Sequence, residues 1–564
     1  MKKLSILLAA LMLVAMIAGC GTPASTAPAA EATAAPTAAP ADTAAEEEEA
    51  PVEEEVPENP NDIAKGRDIT FTYWYQFGAG KSKELIGTFN KNEVYIEMEK
   101  RTGIKIEFVH PADGQETEQF NLMVASEDYT DFVTGADRYK GGIEKGIVDE
   151  VYVDITQAIQ DYAPNFLGVI EQSAPLKKQM YSDSGYFMGF GMITSDLHHD
   201  DWTPTIENPW AGPFMRGDML EGVGMEVPTT IPEWYDVLTA VKEKYNPEVL
   251  VSMNKKARDT AYVGPPLLNA FGGPINFYMG EDNKIHYGPA EDFFAEYLTE
   301  MAKWYAEGLI DKEFAARDSK AISQLESNLS LFAKDSDGSA FIVRTENFAK
   351  EKGVDAYMVG VPYPQKDAET PLRWAFKNNP CRGEWTMLFN TDNVNQYLEE
   401  AIKWFDYGYS VEGAHLYNYG VFGQSHESFD ENGFPIYVDY ISADNYAAFE
   451  TYQEVIRRHN GPYLKSDLRS SWRRRIPELE APRIVWDIDA PAVLPPYTLN
   501  DEEGREAATI MADIETFVDE AIVNYIMGNN PIDQAMTVPE TVRSMGIDKV
   551  IALRETALAR YNAR

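Results

Sequence analysis

The chain has 564 residues, of which 49 are lysine or arginine and 91 are aspartate or glutamate, giving a formal net charge of −42. Nucleic-acid binding depends on neutralising phosphates, so such an acidic chain argues against that function. The sequence contains two cysteines, Cys20 and Cys381. The length exceeds what one hydrophobic core supports, so we expect two domains stabilised by their cores.

The N-terminal segment has the pattern of a secretory signal peptide. Residues 1–19 combine a basic start with an apolar run that is shorter than the about 20 apolar residues a bilayer-spanning helix needs. Residues 17–20, IAGC, look like the lipobox of bacterial lipoproteins, in which the cysteine receives lipid. We therefore expect lipidation at Cys20, with an ordinary signal peptide and a chance cysteine as the alternative.

The next segment, residues 20–61, is rich in alanine, proline, threonine and glutamate. It has too little apolar surface to fold, and its glutamates repel one another. We expect a flexible stalk that holds the protein on the outer face of the bacterial cytoplasmic membrane through several acyl chains. Once Cys20 is lipidated, Cys381 has no partner for an intrachain disulfide.

The first folded segment alternates strands and helices. Apolar residues alternate in strand fashion over residues 69–75 and 104–108, with a helical stretch at 82–102 between them. A helix at 116–126 and a short buried strand at 132–134 continue the series. This order predicts an α/β fold with a mostly parallel, doubly wound sheet.

A Gly-Lys-Ser sequence, residues 80–82, lies between the first strand and the first helix. A phosphate-binding P-loop needs another glycine five residues before Gly80, and the chain has Tyr75 there. The pattern therefore favours the solvated start of a helix, with Lys81 and Ser82 exposed.

Later helices are predicted from their caps and apolar faces. Thr230 and Glu233 form a capping box ahead of a helix whose apolar face includes Trp234. Trp304 and Trp404 flank similar helical faces, so we expect all three tryptophans to be structural.

Five stretches along residues 66–564 carry a resemblance: FNLMVASEDYTDFVTG (120–135), GPFMRGDMLEGVGMEVPTTIPEWYDVL (212–238), EMAKWYAEGLIDKEF (300–314), EEAIKWFDYGYSVEGAHLYNYGVFGQ (399–424) and GREAATIMADIETFVDEAIVNYIMG (504–528). Together and in this order they resemble family 1 extracellular solute-binding proteins, the lipoprotein receptors of sugar ABC importers.

The resemblance implies a two-lobed periplasmic-binding-protein-like fold of type II. Each lobe would be a mostly parallel sheet flanked by helices and formed from non-contiguous segments. The implied crossings lie near Gly191, Ala340 and Val411. The first lobe would then comprise residues 62–190 and 341–410, and the second lobe residues 191–340 and 411–564, including the C-terminal helices.

The end of the first strand is the first candidate ligand contact. In open α/β sheets, ligands bind beyond the carboxyl ends of strands, where Trp74, Tyr75 and Gln76 are expected. Sugars present flat C–H faces and hydroxyls, so their sites combine aromatic rings with amide, carboxylate or guanidinium groups. We expect these three side chains to contact a sugar.

Other candidates lie in loops. Asp137 follows the third strand and would face the cleft, or alternatively cap a helix. Trp202, Trp210 and Arg216 lie in or after a polar, proline-containing segment, residues 194–220, which by resemblance enters the second lobe along the cleft. Tryptophans without a periodic face favour a binding role over burial.

Glu384 and Trp385 have an irregular setting before the apolar run at 386–389, and binding and structural roles stay open for both. Trp472 lies among four arginines, at positions 469 and 473–475. These arginines form either a salt-bridged surface segment or a cleft segment that grips an anionic sugar.

No metal or cofactor is expected. Residues 198–201, HHDD, are adjacent and do not share a face, so a polar loop is favoured over a metal site. Some members of the resembled family carry a calcium loop at the place where this chain reads NPEVLVSMNKK (246–256), which lacks the calcium-loop pattern.

The expected function is a membrane-anchored, monomeric receptor that closes two lobes on an oligosaccharide and passes it to the permease subunits of an ABC transporter. An oligopeptide receptor of the same fold is an alternative, because the aromatic content of 12% suits either ligand. A sensor or adhesin without an importer is another. We do not expect an enzyme such as a secreted polysaccharide-degrading one, since no G-x-S-x-G or H-E-x-x-H motif occurs.

Overall fold

The structure is a computed structural model. It describes residues 59, 61–77, 85–195, 212–247, 249–251, 267–316, 332–335, 346, 349–351, 353–375, 377, 379, 381–431, 435–442, 452, 462–466 and 477–564. The signal peptide, Cys20 and nearly all of the predicted stalk lie outside these residues.

The strands are, in chain order, β1 (Ile69–Trp74), β2 (Ile104–Val109), β3 (Phe132–Thr134), β4 (Phe190–Ser195), β5 (Gly212–Arg216), β6 (Phe277–Met279), β7 (Ile285–Tyr287), β8 (Phe332–Asp335), β9 (Met358–Gly360), β10 (Cys381–Leu388), β11 (His426–Phe429), β12 (Pro435–Tyr437) and β13 (Leu464–Ser466).

The α-helices are α1 (Glu93–Thr102), α2 (Glu116–Ser126), α3 (Gly142–Val148), α4 (Thr156–Tyr162), α5 (Pro164–Ile170), α6 (Ala174–Met180), α7 (Gly217–Val223), α8 (Ile231–Tyr245), α9 (Asp292–Ala306), α10 (Asp392–Gln396), α11 (Leu398–Tyr407), α12 (Val411–Tyr419), α13 (Asp439–Ser442), α14 (Pro477–Trp486), α15 (Asp501–Ile526), α16 (Thr537–Ser544) and α17 (Ile547–Ala563).

The largest described sheet has the strand order β13-β4-β10-β3-β1-β2. β1 is parallel to both β2 and β3, and β13 is parallel to β4. β10 is antiparallel to β3 and to β4, so the other five strands all run in one direction. The predicted β-α-β start and the mostly parallel character of this sheet are confirmed.

The second sheet differs from the expectation. In its described part, with the order β8-β5-β9, the central strand β5 pairs antiparallel with both neighbours. These pairings differ from those of β-α-β units, which join parallel strands. Among the described strands, the mostly parallel arrangement expected for both lobes therefore holds for the first sheet and not for the second.

Buried apolar residues form two large clusters. The first core draws on residues 64–193 and 381–464, and the second core on residues 215–361 and 507–550. A small third cluster packs Trp486 of α14 against β5 and β9 residues. Each large core is therefore built from separate chain segments.

These clusters do not follow the expected lobe boundaries. β4 continues the first sheet through Ser195, beyond the crossing expected near Gly191. Val361 belongs to the second core, and the chain rejoins the first sheet at Cys381 rather than near Ala340. Residues of α12 and β13 also belong to the first core, although the boundary was expected near Val411. The boundaries are displaced because β10 and β13 complete the first sheet from distant sequence.

The first helix is also shorter than predicted. Gly87 adopts a left-handed φ of 70°, a single 3-10 turn follows, and Asn92 caps α1 by accepting a hydrogen bond from the Val94 amide. Left-handed backbone interrupts a helix, so the helical stretch expected to run through to Thr102 is broken at Gly87 and the α-helix begins at Glu93.

Most of the other helix predictions are confirmed. The capping box at Thr230 and Glu233 is present, and Trp234 is fully buried in α8. Trp304 and Trp404 are buried as well, and the Trp304 indole N–H donates to Glu300 at 2.7 Å. Along the described chain, no helix is both long and apolar enough to cross a bilayer.

Candidate functional site at the strand ends

One edge of the first sheet is formed by the carboxyl ends of β1 and β3 together with the amino-terminal half of β10. Trp74 of β1 pairs with Val133 of β3, and Thr134 of β3 pairs with Thr386 of β10. Ligands of open α/β sheets bind at such an edge. Residues that follow these strand ends are thus brought together by the sheet itself.

Trp74 and Tyr75 are both buried, at 4% and 3% exposure. The Tyr75 ring lies edge-on to Tyr73 and Phe89, with ring centres 5.2 and 5.4 Å apart. The Trp74 ring packs edge-on against Phe120 at 6.1 Å. The prediction of open aromatic platforms at these two positions is therefore corrected: Tyr75 lies within the aromatic core, and Trp74 is covered.

Gln76 is half-buried and held in place by the start of α2. Its Nε2 donates to Glu116 Oε1 at 2.7 Å, and the same oxygen accepts the Gly114 amide at 3.0 Å. An amide side chain that is already oriented by a carboxylate can offer its oxygen to a hydroxyl. Gln76 therefore stays a candidate ligand contact.

The turn after β3 exposes Asp137 beside a cation. Gly135 has a left-handed φ of 85°, and a Cβ at this position would lie 1.3 Å from Arg138 Nη1. The Arg138 guanidinium lies 6.0 Å from the centre of the Trp74 ring. Only glycine permits both the backbone conformation and the position of Arg138. Asp137 is on the exposed side of a single 3-10 turn and does not cap an α-helix.

Arg138 is a candidate that the sequence reasoning missed. The signal was present, since Arg138 directly follows Asp137 in the same loop, but one arginine in a loop has no diagnostic spacing. Its contact with Trp74 depends on the left-handed Gly135, which cannot be identified from residue type alone.

Glu384 and Trp385 lie inside β10, which corrects the expectation of an irregular setting before residue 386. Trp385 is half-buried against the first core, and its carbonyl accepts the Gly135 amide at 2.8 Å. The β10–β4 register shifts between Arg382 and Thr386, and such irregular pairing often lies next to binding sites. The side chain of Glu384 is outside what the structure describes.

Three buried hydroxyls hydrogen-bond one another within the sheet next to this edge. Tyr73 Oη lies 2.7 Å from Thr134 Oγ1 and 3.1 Å from Thr386 Oγ1, and the two threonine hydroxyls are 2.8 Å apart. These contacts join β1, β3 and β10 side by side. They fix the positions of the three strands along the strand direction, and so the positions of the residues that follow their ends.

We call Gln76, Asp137, Arg138 and Trp385 the strand-end site, and the buried Trp74 lies behind Arg138. It combines a half-buried indole, an amide, a carboxylate and a guanidinium. This mixture can stack on a sugar ring and hydrogen-bond its hydroxyls, and the arginine could pair with an acidic group.

Arg216 is separate from the strand-end site and lies at the end of β5 in the second sheet. It is 2% exposed, and its Nε and Nη2 donate to the two Asp218 carboxylate oxygens at 2.6 and 2.5 Å. Nη1 is buried without a hydrogen-bond partner in the described part of the chain. The expected cleft position of Arg216 is therefore corrected to a buried ion pair at the start of α7.

Trp202, Trp210 and Trp472 lie outside the described residues, as do the histidine and arginine clusters at 198–201 and 473–475. Within the described ranges, histidine, cysteine and carboxylate side chains form no group of three that could hold a metal ion.

Comparison with solved structures shows extensive similarity in fold. The alginate-binding protein AlgQ2, in its calcium-free structure, has a TM-score of 0.66 and 20% identity, covering 89% of this chain and 100% of that one. The ABC-transporter substrate-binding protein FusA of S. pneumoniae, in complex with kestose, has a TM-score of 0.63 and 16% identity, covering 88% and 99%.

A solute-binding protein from Bifidobacterium longum infantis, described as HMO binding and associated with an ABC transporter, has a TM-score of 0.66 and 15% identity, covering 88% and 99%. At these identities the similarity establishes the fold. The chain has the two-lobed α/β fold of extracellular solute-binding proteins.

Sequence similarity is more limited. No protein-family model matches the chain. The lipoprotein LipO of Bacillus subtilis is 26% identical over 235 residues, a match that covers 39% of this chain and 42% of that protein. The matched part is therefore less than half of either chain.

Proposed function

We propose that this chain is a lipid-anchored extracellular receptor that captures an oligosaccharide between its two lobes and delivers it to the permease subunits of an ABC transporter. The observation that carries the proposal is the shared fold across nearly the full length of AlgQ2, FusA and the B. longum protein. Those neighbours are substrate-binding transport proteins rather than enzymes.

The proposed location follows from the N-terminal sequence. A signal peptide ending in IAGC and a charged stalk would place the folded unit outside the membrane, attached through Cys20. The match to LipO supports this anchor, since that relative is a lipoprotein. The protein would act as a monomer, with the stalk allowing the folded unit to reach its permease.

The strand-end site supplies suitable chemistry. Trp385 offers a half-buried indole on the strand whose carbonyl holds the turn with Asp137 and Arg138, and Gln76 adds an oriented amide. Micromolar affinity corresponds to about −8 kcal/mol, which a few stacked rings and hydrogen bonds can supply. We further propose that Glu384, Trp202, Trp210 and Trp472 complete the cleft.

Lobe closure is the proposed mechanism of capture. A sugar that contacts both lobes stabilises the closed arrangement by its differential affinity for that arrangement. The permease would then recognise the closed form, and opening against the permease would release the sugar.

An oligopeptide receptor of the same fold is the second candidate. Aromatic and charged side chains at the strand ends could also hold peptide side chains, so the fold alone does not separate the two ligands. A polysaccharide-degrading enzyme would need two carboxylates placed across a glycosidic bond. The binding panel separates it from a receptor, because only an enzyme would cleave the sugar.

The test is a binding panel with the purified full-length chain in detergent. Alginate oligomers, kestose, milk and N-glycan oligosaccharides and short peptides would be titrated by tryptophan fluorescence and calorimetry, with chromatography of the ligand afterwards. Saturable binding of one sugar class without cleavage supports the proposal. Binding confined to peptides, or cleavage of a sugar, would contradict it.

A further inference from the structure

The last helix, α17, carries side chains that contact the first core as well as the second. Val550 in its first half is buried in the second core. Farther along, the Tyr561 hydroxyl donates to the Pro175 carbonyl of α6, at 3.4 Å, and Leu176 of α6 is buried in the first core. The end of α17 therefore lies where the two cores meet.

Arg560 joins both cores through one guanidinium. Its Nη1 and Nη2 donate to the two Glu503 carboxylate oxygens at 2.7 and 2.6 Å, within the second core's helix pair α15 and α17. Its Nε donates to Asp183 Oδ2 at 2.7 Å, in the turn after α6. A planar guanidinium can make both contacts at once because its donors point in fixed, divergent directions.

Arg564 adds a second connection to the same carboxylate. Its Nε and Nη2 donate to Asp183 Oδ1 at 2.8 and 2.6 Å, and its Nη1 donates to the carbonyls of Lys178 and Tyr181 at 3.0 and 2.5 Å. In return, Lys178 Nζ donates to the Asn562 carbonyl at 2.8 Å. The contacts are reciprocal and involve backbone on both sides.

These charges are partly shielded from water. The exposed fractions of the side chains are 11% for Arg564, 24% for Asp183, 29% for Arg560 and 11% for Glu503. Most single surface ion pairs contribute little, but a shielded network with bidentate geometry is stronger and keeps its geometry better.

The network lies beside a chain crossing. Gln179 of α6 donates to the Cys381 carbonyl at 2.6 Å and accepts the Cys381 amide at 3.1 Å. Cys381 is the first residue of β10, where the chain returns from the second core to the first sheet. The ionic network and one of the crossing strands are therefore both attached to α6.

We propose that Asp183, Arg560 and Arg564 form a clamp that fixes the pivot about which the two lobes close. The clamp holds α17 on α6 beside the crossing strand, so lobe motion is confined to rotation about this point. In this proposal they act as positioning residues, through the arrangement of the lobes and not through contacts with the sugar. The effect on sugar affinity rests on the proposed function, whereas the restriction of lobe motion does not.

Weakening the clamp should broaden the arrangements that the free protein samples. A ligand that requires one closed arrangement must then select it from a wider ensemble. The apparent affinity falls in proportion to the fraction of the protein that no longer reaches that arrangement. The expected cost is about threefold in Kd for one clamp residue, with the cleft contacts unchanged.

The experiment measures the distance distribution between spin labels at Asn121→Cys in α2 and Ala306→Cys in α9, in the full-length chain carrying Cys20→Ser. Cys381 is buried, and burial raises the pKa of its thiol, so we expect it to stay unlabelled. The test variants are Arg564→Gln and Asp183→Asn. Arg505→Gln is the matched control, because the Arg505 side chain is 65% exposed and pairs with Asp501 of its own helix.

Broader distributions for Arg564→Gln and Asp183→Asn, with the Arg505→Gln distribution unchanged, support the clamp. Unchanged distributions, or equal broadening in the control, overturn it. If a test variant fails to fold, Arg564→Lys keeps the charge but loses the paired Nε and Nη2 donors to Asp183 Oδ1 and should broaden the distribution to a smaller extent. The measurement needs no sugar, so it judges the clamp even if the panel finds no oligosaccharide ligand.

Discussion

The Gly135 amide donates to the Trp385 carbonyl at 2.8 Å, which joins the end of β3 to a strand that is distant in sequence. Through this bond the exposed Asp137 turn and the half-buried Trp385 indole occupy the same edge of the first sheet. The strand-end site therefore depends on the insertion of β10 between β3 and β4.

Replacing Gly135 should disturb this edge directly. Gly135→Ala places a Cβ 1.3 Å from Arg138 Nη1 at a left-handed φ of 85°. We expect the free energy of unfolding to fall by about 2 kcal/mol or more, and sugar binding to weaken because Arg138 must move. Urea unfolding and calorimetry measure the two effects.

Gly528→Ala is the control for that substitution. Gly528, after the end of α15, also has a left-handed φ, 76°, but a Cβ there would meet no atom within 4 Å. It should therefore show the backbone cost alone and leave sugar affinity unchanged. Equal losses of affinity in the two variants would contradict a specific role for the Gly135 turn.

Trp385→Ala should weaken sugar binding more than it destabilises the fold. The side chain is half-buried, and losing one stacked ring is expected to raise Kd about tenfold, equivalent to about 1.4 kcal/mol. Tyr440→Ala, at a 63% exposed aromatic residue of α13, should leave Kd unchanged. An unchanged Kd for Trp385→Ala would remove this residue from the site.

Arg216 should prove structural rather than ligand-binding. Asp218→Ala would leave a 2% exposed guanidinium without its carboxylate, and we expect it to lower the free energy of unfolding by about 3 kcal/mol. Asp149→Ala removes a more exposed pair with Lys145 and should cost about 1 kcal/mol or less. Similar costs in the two variants would argue against the buried pair.

Local patterns in the sequence predicted the strands β1 to β3, the α8 capping box and the core tryptophans. The same alternation that predicts β1 also directs Tyr75 to the inner face, so its burial could have been predicted from periodicity. The expectation that Tyr75 contacts a sugar relied on its position at the end of the strand. It gave less weight to the sheet face on which the Tyr75 side chain lies.

The remaining errors have non-local causes. Nothing near Trp385 indicates that its strand inserts between β3 and β4, because that pairing depends on residues far away in the chain. The burial of Arg216 likewise depends on how the second sheet packs. The late start of the first predicted helix depends on the left-handed backbone at Gly87, which residue type permits but does not require.

Stability should decrease on mild acidification because of His426. Burial lowers the pKa of His426 to about 4, from an ordinary value of 6.5, and the positive charge of His415 contributes in the same direction. At a pH between these two pKa values, the His426 imidazole is protonated in the unfolded chain and neutral in the folded protein. The free energy of unfolding should therefore fall by about 2 kcal/mol between about pH 7 and pH 5.

His286 should change the pH dependence of stability in the opposite direction. Although partial burial acts to lower its pKa, hydrogen bonds to Glu291 and Asp282 raise it overall. The stabilisation that His286 contributes is thus fully present below its ordinary pKa. It is lost as the pH rises through the pKa that His286 has in the folded protein. Urea unfolding over this pH range should lose its acid slope in His426→Gln but not in His286→Gln; the reverse pattern would contradict the assignment.

The lipid anchor can be tested in bacterial cells. Cys20→Ser should move the protein from the membrane fraction to the soluble extracytoplasmic fraction, because the acyl chains are its proposed attachment. Cys381→Ser, at the buried thiol, should leave the protein membrane-bound. Membrane retention of the Cys20→Ser variant would contradict lipidation at this residue.

The central claim is capture of an oligosaccharide between two lobes, and a crystal structure with a saturating sugar from the binding panel tests it most directly. We predict sugar density between the first and second cores, in contact with Trp385 and the Asp137–Arg138 turn. Density confined to the outer surface of one core, or a bound peptide in place of the sugar, would contradict the account.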